Sequence, residues 1–317
     1  MTTFTHEPVL RQRCLDLLAP AISANNAVLV DATLGLGGHT ESALTEFPNL
    51  RVIGIDRDPE ALAMSQERLA RFAPRVDFAL AVYDEIPEVL ANLNIEHVQG
   101  ILFDLGVSSM QLDKDQRGFT YSRNAPLDMR MDGTTGQTAA DIVNNYDFAN
   151  LARILREYGE ERFAARVANA IIREREVKPF TNSDHLVTVV RDAIPAATRR
   201  TGGNPAKRTF QALRIEVNDE LAVLERAIPA ALDCLALDGR IVVLSYHSLE
   251  DRIVKNALRV GTESKTPIEM PIIPESDKPW LQLLTRGSEA ASDDEITENS
   301  RATSVRLRAA QRIGVAA

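Results

Sequence analysis

Three aspartates stand where runs of apolar residues end. Asp31, Asp56 and Asp104 each close a segment rich in Val, Ile and Leu, which is the composition of a buried strand. In an open parallel sheet, ligands bind in the crevice at the carboxyl ends of the strands. A carboxylate there loses hydration unless it gains a partner, so we predict that these acids face a ligand. A structural role is the alternative for Asp31 and Asp104.

A glycine-rich turn separates the first two of these runs. Gly35 and Gly37 fill the first and third positions of a dinucleotide-binding loop, but Thr40 stands at the sixth, where that loop has glycine. The departure favours S-adenosylmethionine over a nicotinamide dinucleotide, because S-adenosylmethionine carries no pyrophosphate. Gly37 and Gly38 let the backbone approach a ligand closely, and Asp56 can accept from both hydroxyls of a ribose. A nicotinamide-dependent oxidoreductase is the disfavoured alternative.

Further side chains near these positions could take part in binding or catalysis. Tyr83 follows the third apolar run, at the height where an adenine ring would stack. His39 begins a helix beside the glycine loop, and His247 follows a later strand. Asp104 could accept a proton or a hydrogen bond from a substrate amine, which makes it the candidate catalytic residue.

The composition is typical of a globular protein without a membrane segment. Of the 317 residues, 44% are hydrophobic and 26% are charged, and no apolar run approaches the roughly 20 residues of a membrane helix. Cys14 and Cys234 are the only cysteines and lie in no C-x-x-C motif or His/Cys cluster, which argues against a zinc site or a disulfide framework. We therefore predict a cytoplasmic protein that uses no metal and no membrane.

Charge is unevenly distributed along the chain. The net charge is −9, yet residues 111–215 hold 17 Lys and Arg against 13 Asp and Glu, a net charge of +4. Within them, the stretch from Arg199 to Arg214 is free of acids and includes Arg200, Lys207 and Arg208. A local basic surface can contact phosphates even on an acidic protein, because exposed charges are screened beyond ~8–10 Å. A solvated loop is an equally good interpretation of this charge alone.

The order of patterns predicts an α/β fold interrupted by helices. Strand-like and helix-like segments alternate up to residue 110 and again from residue 216, which indicates a parallel sheet covered by helices. Residues 111–215 contain amphipathic helices and loops with little strand pattern. We predict one discontinuous domain, 1–110 and 216–317, with an inserted helical domain at 111–215.

The second half of the sheet-forming domain has its own pattern. It predicts a long helix over Ile215–Leu237, a turn at Asp238 and Gly239, and a last strand over Ser304–Ala310. Residues 261–300 are rich in Pro, Ser, Glu and Asp, and we expect them to form a partly mobile excursion.

The motifs resemble those of the bacterial small-subunit (16S) ribosomal RNA N4-cytosine methyltransferase family, the MraW family. They follow the family's order over nearly the whole chain and comprise His6–Leu10, Asp31–Thr40, Asp56–Pro59, Phe103–Ser109, Gln111–Asp113, Arg117–Phe119, Pro126–Asp132, Tyr158–Phe163, Arg208–Ile215 and His247–Arg252. Asn299–Ser304 departs most from the family pattern, and Tyr83 stands where the family commonly has Phe.

The resemblance implies a class I S-adenosylmethionine-dependent methyltransferase, a Rossmann-like α/β sheet with an inserted helical domain for substrate recognition. Its expected substrate is the exocyclic amine of one cytosine in the decoding region of 16S ribosomal RNA, within the small ribosomal subunit. The resemblance leaves open whether the protein is a homodimer. Matched position by position, the donor contacts fall on Gly37, Gly38, His39, Asp56, Tyr83, Asp104 and Gln111.

The target cytosine would have to leave its stack to reach such a site. Phe119 and Tyr121, in the first loop of the insertion, are candidates to stack on it. A non-catalytic RNA-binding or ribosome-assembly protein that keeps the methyltransferase fold is the alternative function.

Overall fold

The computed structural model describes residues 7–196, 204–264, 266, 274 and 277–315. The strands are β1 Val28–Asp31, β2 Arg51–Asp56, β3 Val76–Leu80, β4 Val98–Asp104, β5 Leu235–Ser245, β6 Leu281–Leu283 and β7 Arg306–Arg312. They form one sheet in the order β3-β2-β1-β4-β5-β7-β6. Strands β1 to β5 are parallel, whereas β7 pairs antiparallel with β5 and β6.

The sheet is covered on both faces. Leu29 and Leu102 pack in one buried cluster, and their neighbours Val30 and Ile101 pack in another, because successive strand residues point to opposite faces. The consecutive apolar residues Val28–Val30 of β1 and Ile101–Phe103 of β4 therefore suit strands buried on both sides. The helices accompanying the sheet are Arg11–Ile22, Gly38–Glu46, Pro59–Arg68, Ile86–Asn92, Glu220–Asp233, Ser248–Thr262 and Asp293–Glu298. The predicted Rossmann-like α/β fold is confirmed.

A helical segment separates β4 from β5 in the chain. Its helices are Ser109–Asp113, Ala139–Asn145, Phe148–Glu157, Ala164–Val177, Ser183–Ala193 and Lys207–Asn218. They enclose their own hydrophobic core, in which Leu151 and Phe180 are almost wholly buried. Four of these helices begin with a side-chain cap, for example Asp147, whose side chain accepts a hydrogen bond from the amide of Asn150.

The chain divides into two compact units. One comprises Met1–Gly106 with Leu221–Ala317 and holds the sheet; the other comprises Val107–Glu220 and is helical. These boundaries lie four and five residues from those expected at residues 111 and 215. Among the described residues, no helix combines the length and the apolar character needed to cross a membrane.

The prediction of a single long helix over Ile215–Leu237 is wrong. The helix Lys207–Asn218 stops at Asp219, whose φ of 53° is left-handed, and a second helix runs over Glu220–Asp233. Aspartate adopts this conformation more readily than most residues. The apolar periodicity continues across the break, so periodicity alone does not reveal it.

The turn at Asp238 and Gly239 also differs from its prediction. Strand β5 already begins at Leu235, so the turn interrupts this strand instead of preceding it. Asp238 has a φ of 65°, and the β4–β5 register shifts between Val98 and Gly100. The extra residues are accommodated as a bulge-like irregularity.

Residues 261–300 contain more regular structure than the predicted excursion. Leu281–Leu283 forms the edge strand β6, which pairs with β7, and Asp293–Glu298 is a helix. Ser292 caps this helix by accepting a hydrogen bond from the amide of Glu295. That the excursion is partly mobile stays a prediction; residues 265, 267–273 and 275–276 lie outside the described residues.

Candidate cofactor site and catalytic residues

The glycine loop connects β1 to the helix Gly38–Glu46. Gly35 and Gly37 have φ values of 52° and 75°, a region that glycine adopts without strain. Gly38 is required for a different reason: a Cβ at this position would lie 2.6 Å from Cγ of Pro8. Pro8 therefore occupies the space that a side chain at Gly38 would need, and the contact of the Gly37 and Gly38 backbone with a ligand stays a prediction.

Asp56 is held by the backbone at the end of β2. Its Oδ2 accepts a hydrogen bond of 2.7 Å from the amide of Gly35, and its Oδ1 accepts one of 2.8 Å from the amide of Asp58. Burial raises the pKa of Asp56 to about 6, although both amides oppose this shift. Each carboxylate oxygen can accept a second hydrogen bond, which fits the predicted contact with ribose hydroxyls.

Asp31 is buried at the end of β1. Its Oδ2 accepts a hydrogen bond of 2.6 Å from the hydroxyl of Thr40, which ties the strand to the following helix. Its Oδ1 is buried without a hydrogen-bond partner in the described part of the chain. Burial raises the pKa of this carboxyl, and the bond from Thr40 opposes the rise. Asp31 thus makes one structural hydrogen bond through Oδ2, whereas its buried Oδ1 makes none with the described residues.

Asp104 lies between two side chains at the end of β4. Its Oδ1 accepts a hydrogen bond of 2.6 Å from the hydroxyl of Tyr246, and its Oδ2 is 3.6 Å from Nε2 of His39. His39 is only 6% exposed, and neither of its ring nitrogens has a hydrogen-bond partner within the described ranges. A buried imidazole without partners is costly, so this environment suits a polar ligand.

Tyr83 begins a short 3-10 turn after β3. Its ring packs edge-on against Phe103, with the ring centroids 5.7 Å apart and the planes at 84°. Phe103 directly precedes Asp104, so this contact places Tyr83 near the carboxyl ends of the strands, where the three aspartates lie. That position is compatible with the predicted stacking on adenine, and the half-buried ring is held by the core.

His247 has a structural task in the turn after β5. Its Nδ1 accepts a hydrogen bond of 3.4 Å from the amide of Glu250 at the start of the helix Ser248–Thr262. Its Nε2 lies 3.1 Å from Oε1 of the same glutamate. The contact with Asp104 comes instead from Tyr246, which directly precedes His247 and which no sequence motif indicated.

The remaining site predictions fall in the helical unit. Gln111 is 4% exposed, and its Oε1 accepts a hydrogen bond of 3.0 Å from the amide of Ser108, which completes a capping box. Lys207 and Arg208 are exposed at the start of the helix Lys207–Asn218. Arg200 lies outside the described residues.

The two aromatic candidates for stacking on the target base differ in exposure. Phe119 is 7% exposed and belongs to the hydrophobic core of the helical unit, so its ring is committed to packing. Tyr121 is half-buried and contacts Phe210 edge-on at 5.8 Å. The proposal for Phe119 is therefore wrong in this structure, and Tyr121 stays a candidate.

Comparison with known proteins gives matches over almost the full chain. The model of the MraW methylase family matches residues 3–313. A protein of Frankia alni named "Ribosomal RNA small subunit methyltransferase H" is 64% identical over 308 residues, which are 97% of this chain and 95% of that one. The protein of the same name from Parafrankia is 62% identical, covering 97% of this chain and 94% of its own.

A solved structure was also matched. The putative methyltransferase SMU.1697c of Streptococcus mutans, in complex with SAH, is 13% identical, with a TM-score of 0.44 and coverage of 97% of this chain and 99% of that one. Because the family match and both relatives extend over nearly all of the sequence, the chain belongs to the MraW methylase family, as its motifs predicted, and S-adenosylmethionine is its methyl donor.

Proposed function

We propose that this protein transfers a methyl group from S-adenosylmethionine to the N4 amine of one cytosine in the decoding region of 16S ribosomal RNA. Relatives 57–64% identical to the chain are named as small-subunit ribosomal RNA methyltransferases, which supports methylation of ribosomal RNA as the activity. The choice of the cytosine amine rests on the resemblance of the motifs and on an acceptor suited to an amine, Asp104.

The donor site would be formed by residues around the glycine loop. Gly37 and Gly38 would offer backbone to the methionine part, Asp56 would accept from the ribose hydroxyls, and Tyr83 would stack on the adenine. The buried ring nitrogens of His39, which make no hydrogen bond to the described residues, support a polar ligand at this loop. When bound, S-adenosylmethionine supplies a methyl group on a positively charged sulfur.

The single observation that carries the catalytic proposal concerns the two oxygens of Asp104. Oδ1 is engaged by Tyr246, whereas the described residues make no hydrogen bond to Oδ2. An amine conjugated with the cytosine ring is a poor nucleophile, and an acceptor for its hydrogens directs its lone pair at the methyl group. Correct alignment of the reacting atoms contributes up to ~7–11 kcal/mol to lowering such a barrier.

The helical unit is our proposed substrate-recognition domain. Its exposed Lys207 and Arg208 lie in the acid-free stretch that begins at Arg199, where cations can contact RNA phosphates. Tyr121 is the remaining candidate to stack on the displaced base. Gln111, a further donor contact implied by the family resemblance, would act through its side-chain amide.

The test is transfer of labelled methyl from S-adenosylmethionine to small ribosomal subunits that lack this modification. Naked 16S ribosomal RNA and DNA serve as parallel substrates, and Asp56→Ala is the matched donor-site variant. Label on one cytosine at N4, lost in the variant, supports the proposal. Label on another base or atom refutes the proposed specificity. Donor binding without label on any substrate favours the non-catalytic RNA-binding or assembly function.

Two further aspects stay predictions. We propose that the protein acts in the cytoplasm, with the small ribosomal subunit as its partner. Whether it forms a homodimer stays an open prediction. Sedimentation of the full chain over a range of concentrations distinguishes a monomer from a homodimer.

A further inference from the structure

The turn after β5 brings a hydroxyl to the candidate catalytic carboxylate. Strands β4 and β5 pair in parallel with Asp104 opposite Leu244, so Tyr246, the first residue after β5, follows at the same edge of the sheet. Its hydroxyl donates the hydrogen bond of 2.6 Å to Oδ1 of Asp104. Burial and the nearby carboxylate raise the pKa of Tyr246 well above its ordinary value, so the hydroxyl keeps its proton and remains a donor.

The backbone that carries Tyr246 is fixed by a buried acid. Glu250 is 3% exposed, and its Oε2 accepts hydrogen bonds from the amides of Tyr246 and His247 at 2.7 and 3.2 Å. The next residue, Asp251, accepts two hydrogen bonds from Arg308 of β7, at 2.7 and 3.1 Å. These bonds involve charged groups and are stronger than neutral ones. They hold the turn, and with it the tyrosine, in one position.

The hydroxyl of Tyr246 decides which oxygen of Asp104 is left for a ligand. Without this hydroxyl, Oδ1 would lose its donor, and the carboxylate would be free to turn toward His39, whose Nε2 is 3.6 Å from Oδ2. We propose that Tyr246 is a positioning residue, which orients the Asp104 carboxylate so that Oδ2 meets the bound donor and substrate. The inference rests on the proposed function, because it assumes that Asp104 contacts the ligand.

The experiment measures the dissociation constant of S-adenosylmethionine by calorimetry on the full chain, for wild type, Tyr246→Phe, Asp104→Ala and the double variant. Phenylalanine keeps the ring packing and removes only the hydroxyl. Tyr146→Phe is the matched control, because it removes a hydroxyl that donates 2.9 Å to Oε1 of Glu216 within the helical unit. Thermal melting of every variant verifies that the protein is folded at the temperature of the titration.

We expect Tyr246→Phe to weaken donor binding about tenfold, the order expected for a hydrogen bond to a charged group. Adding it to Asp104→Ala should change the constant by less than about twofold, because a residue that acts through Asp104 has no effect once Asp104 is gone. A tyrosine with only a structural role would weaken binding in both backgrounds alike.

Two results separate the failure of this inference from that of the proposed function. If wild type binds and Tyr246→Phe binds equally well, or if the two effects multiply in the double variant, the positioning role is refuted and the proposed function stands. If wild type binds no donor at all, the proposed function fails and the inference fails with it.

Discussion

The carboxylate of Glu295 accepts a hydrogen bond of 2.6 Å from the backbone amide of Leu10, 285 residues earlier in the chain. The same region adds a second link, in which Arg13 donates to both oxygens of Glu289 at 2.8 and 2.9 Å. Leu10 has a left-handed φ of 50° and is the N-cap residue of the helix Arg11–Ile22. These bonds fix the segment that brings Pro8 against Gly38 of the glycine loop.

Replacing Glu295 by Ala should therefore loosen the N-terminal segment. The amide of Leu10 loses a charge-assisted acceptor, and we expect the free energy of unfolding to fall by about 1–3 kcal/mol. Urea denaturation measures this change. Glu298→Ala, in the same helix but exposed, is the control and should stay within about 0.5 kcal/mol of wild type. Equal losses in both variants would contradict the importance of the bond to Leu10.

Replacing Gly38 by Ala should disturb the contact between the glycine loop and Pro8. The new Cβ would lie 2.6 Å from Cγ of Pro8, so one of the two segments must move. We expect a loss of about 1–3 kcal/mol in unfolding free energy, as for other overpacked sites, together with weaker donor binding. Gly133→Ala is the matched control, because a Cβ there meets no atom within 4 Å. Wild-type stability and donor affinity in Gly38→Ala would rule out the close approach.

Donor binding should depend on pH through Asp56. The pKa of this carboxyl is raised to about 6, chiefly by burial. The ionised form accepts more hydrogen bonds from ribose hydroxyls than the protonated form, so affinity should rise as pH increases through 6 and fall below it. Well below this pKa, donor affinity should fall by about tenfold for each pH unit, because a single proton is bound. Calorimetric titrations of S-adenosylmethionine between pH 5 and pH 8, flanking that pKa, measure this dependence.

The control for this pH dependence is Asp56→Asn, which cannot ionise. Its donor affinity should be weak and nearly constant over the same range of pH. A wild-type affinity that is flat across pH 6 would show that Asp56 does not contribute its charge to the donor site.

Replacing Lys207 and Arg208 by Ala should reduce the salt dependence of RNA binding. Each phosphate contact on single-stranded RNA contributes about 0.7 to the slope of log affinity against log salt, so losing two contacts lowers its magnitude by about 1.4. Filter binding of 16S ribosomal RNA at several salt concentrations gives the slope. The paired change of Lys178 and Arg191, exposed cations of the same unit, should leave it unaltered. If both paired variants lowered the salt slope equally, Lys207 and Arg208 would make no specific contact with RNA phosphates.

The sequence predicts the strand, glycine loop and second strand well because their determinants are local. Apolar runs ending in Asp31 and Asp56, with glycines between them, specify a strand, a turn and a second strand without reference to the rest of the chain. The bond between Tyr246 and Asp104 depends instead on β5 lying beside β4, which is a property of the sheet order. No local pattern encodes that neighbourhood.

Other features escaped prediction because packing or backbone conformation overrides pattern. Phe119 has the residue type expected for base stacking, but the core of the helical unit contains it. Asp219 interrupts an otherwise continuous helical periodicity by adopting a left-handed conformation. Gln111 matches a family motif, and its side chain also caps the helix in which it lies, a contact that its residue type alone does not specify.

The position of β7 has a consequence for how the chain is made. β6 pairs only with β7 among the described strands, and β7 (Arg306–Arg312) is the later of the two in the sequence. During synthesis, one edge of β5 and the whole of β6 therefore stay unpaired until β7, the last described strand, has left the ribosome. The helical unit Val107–Glu220 is complete well before that moment and has its own core. The part of the nascent protein that we propose to bind ribosomal RNA is thus finished first, and the donor-binding sheet is closed last.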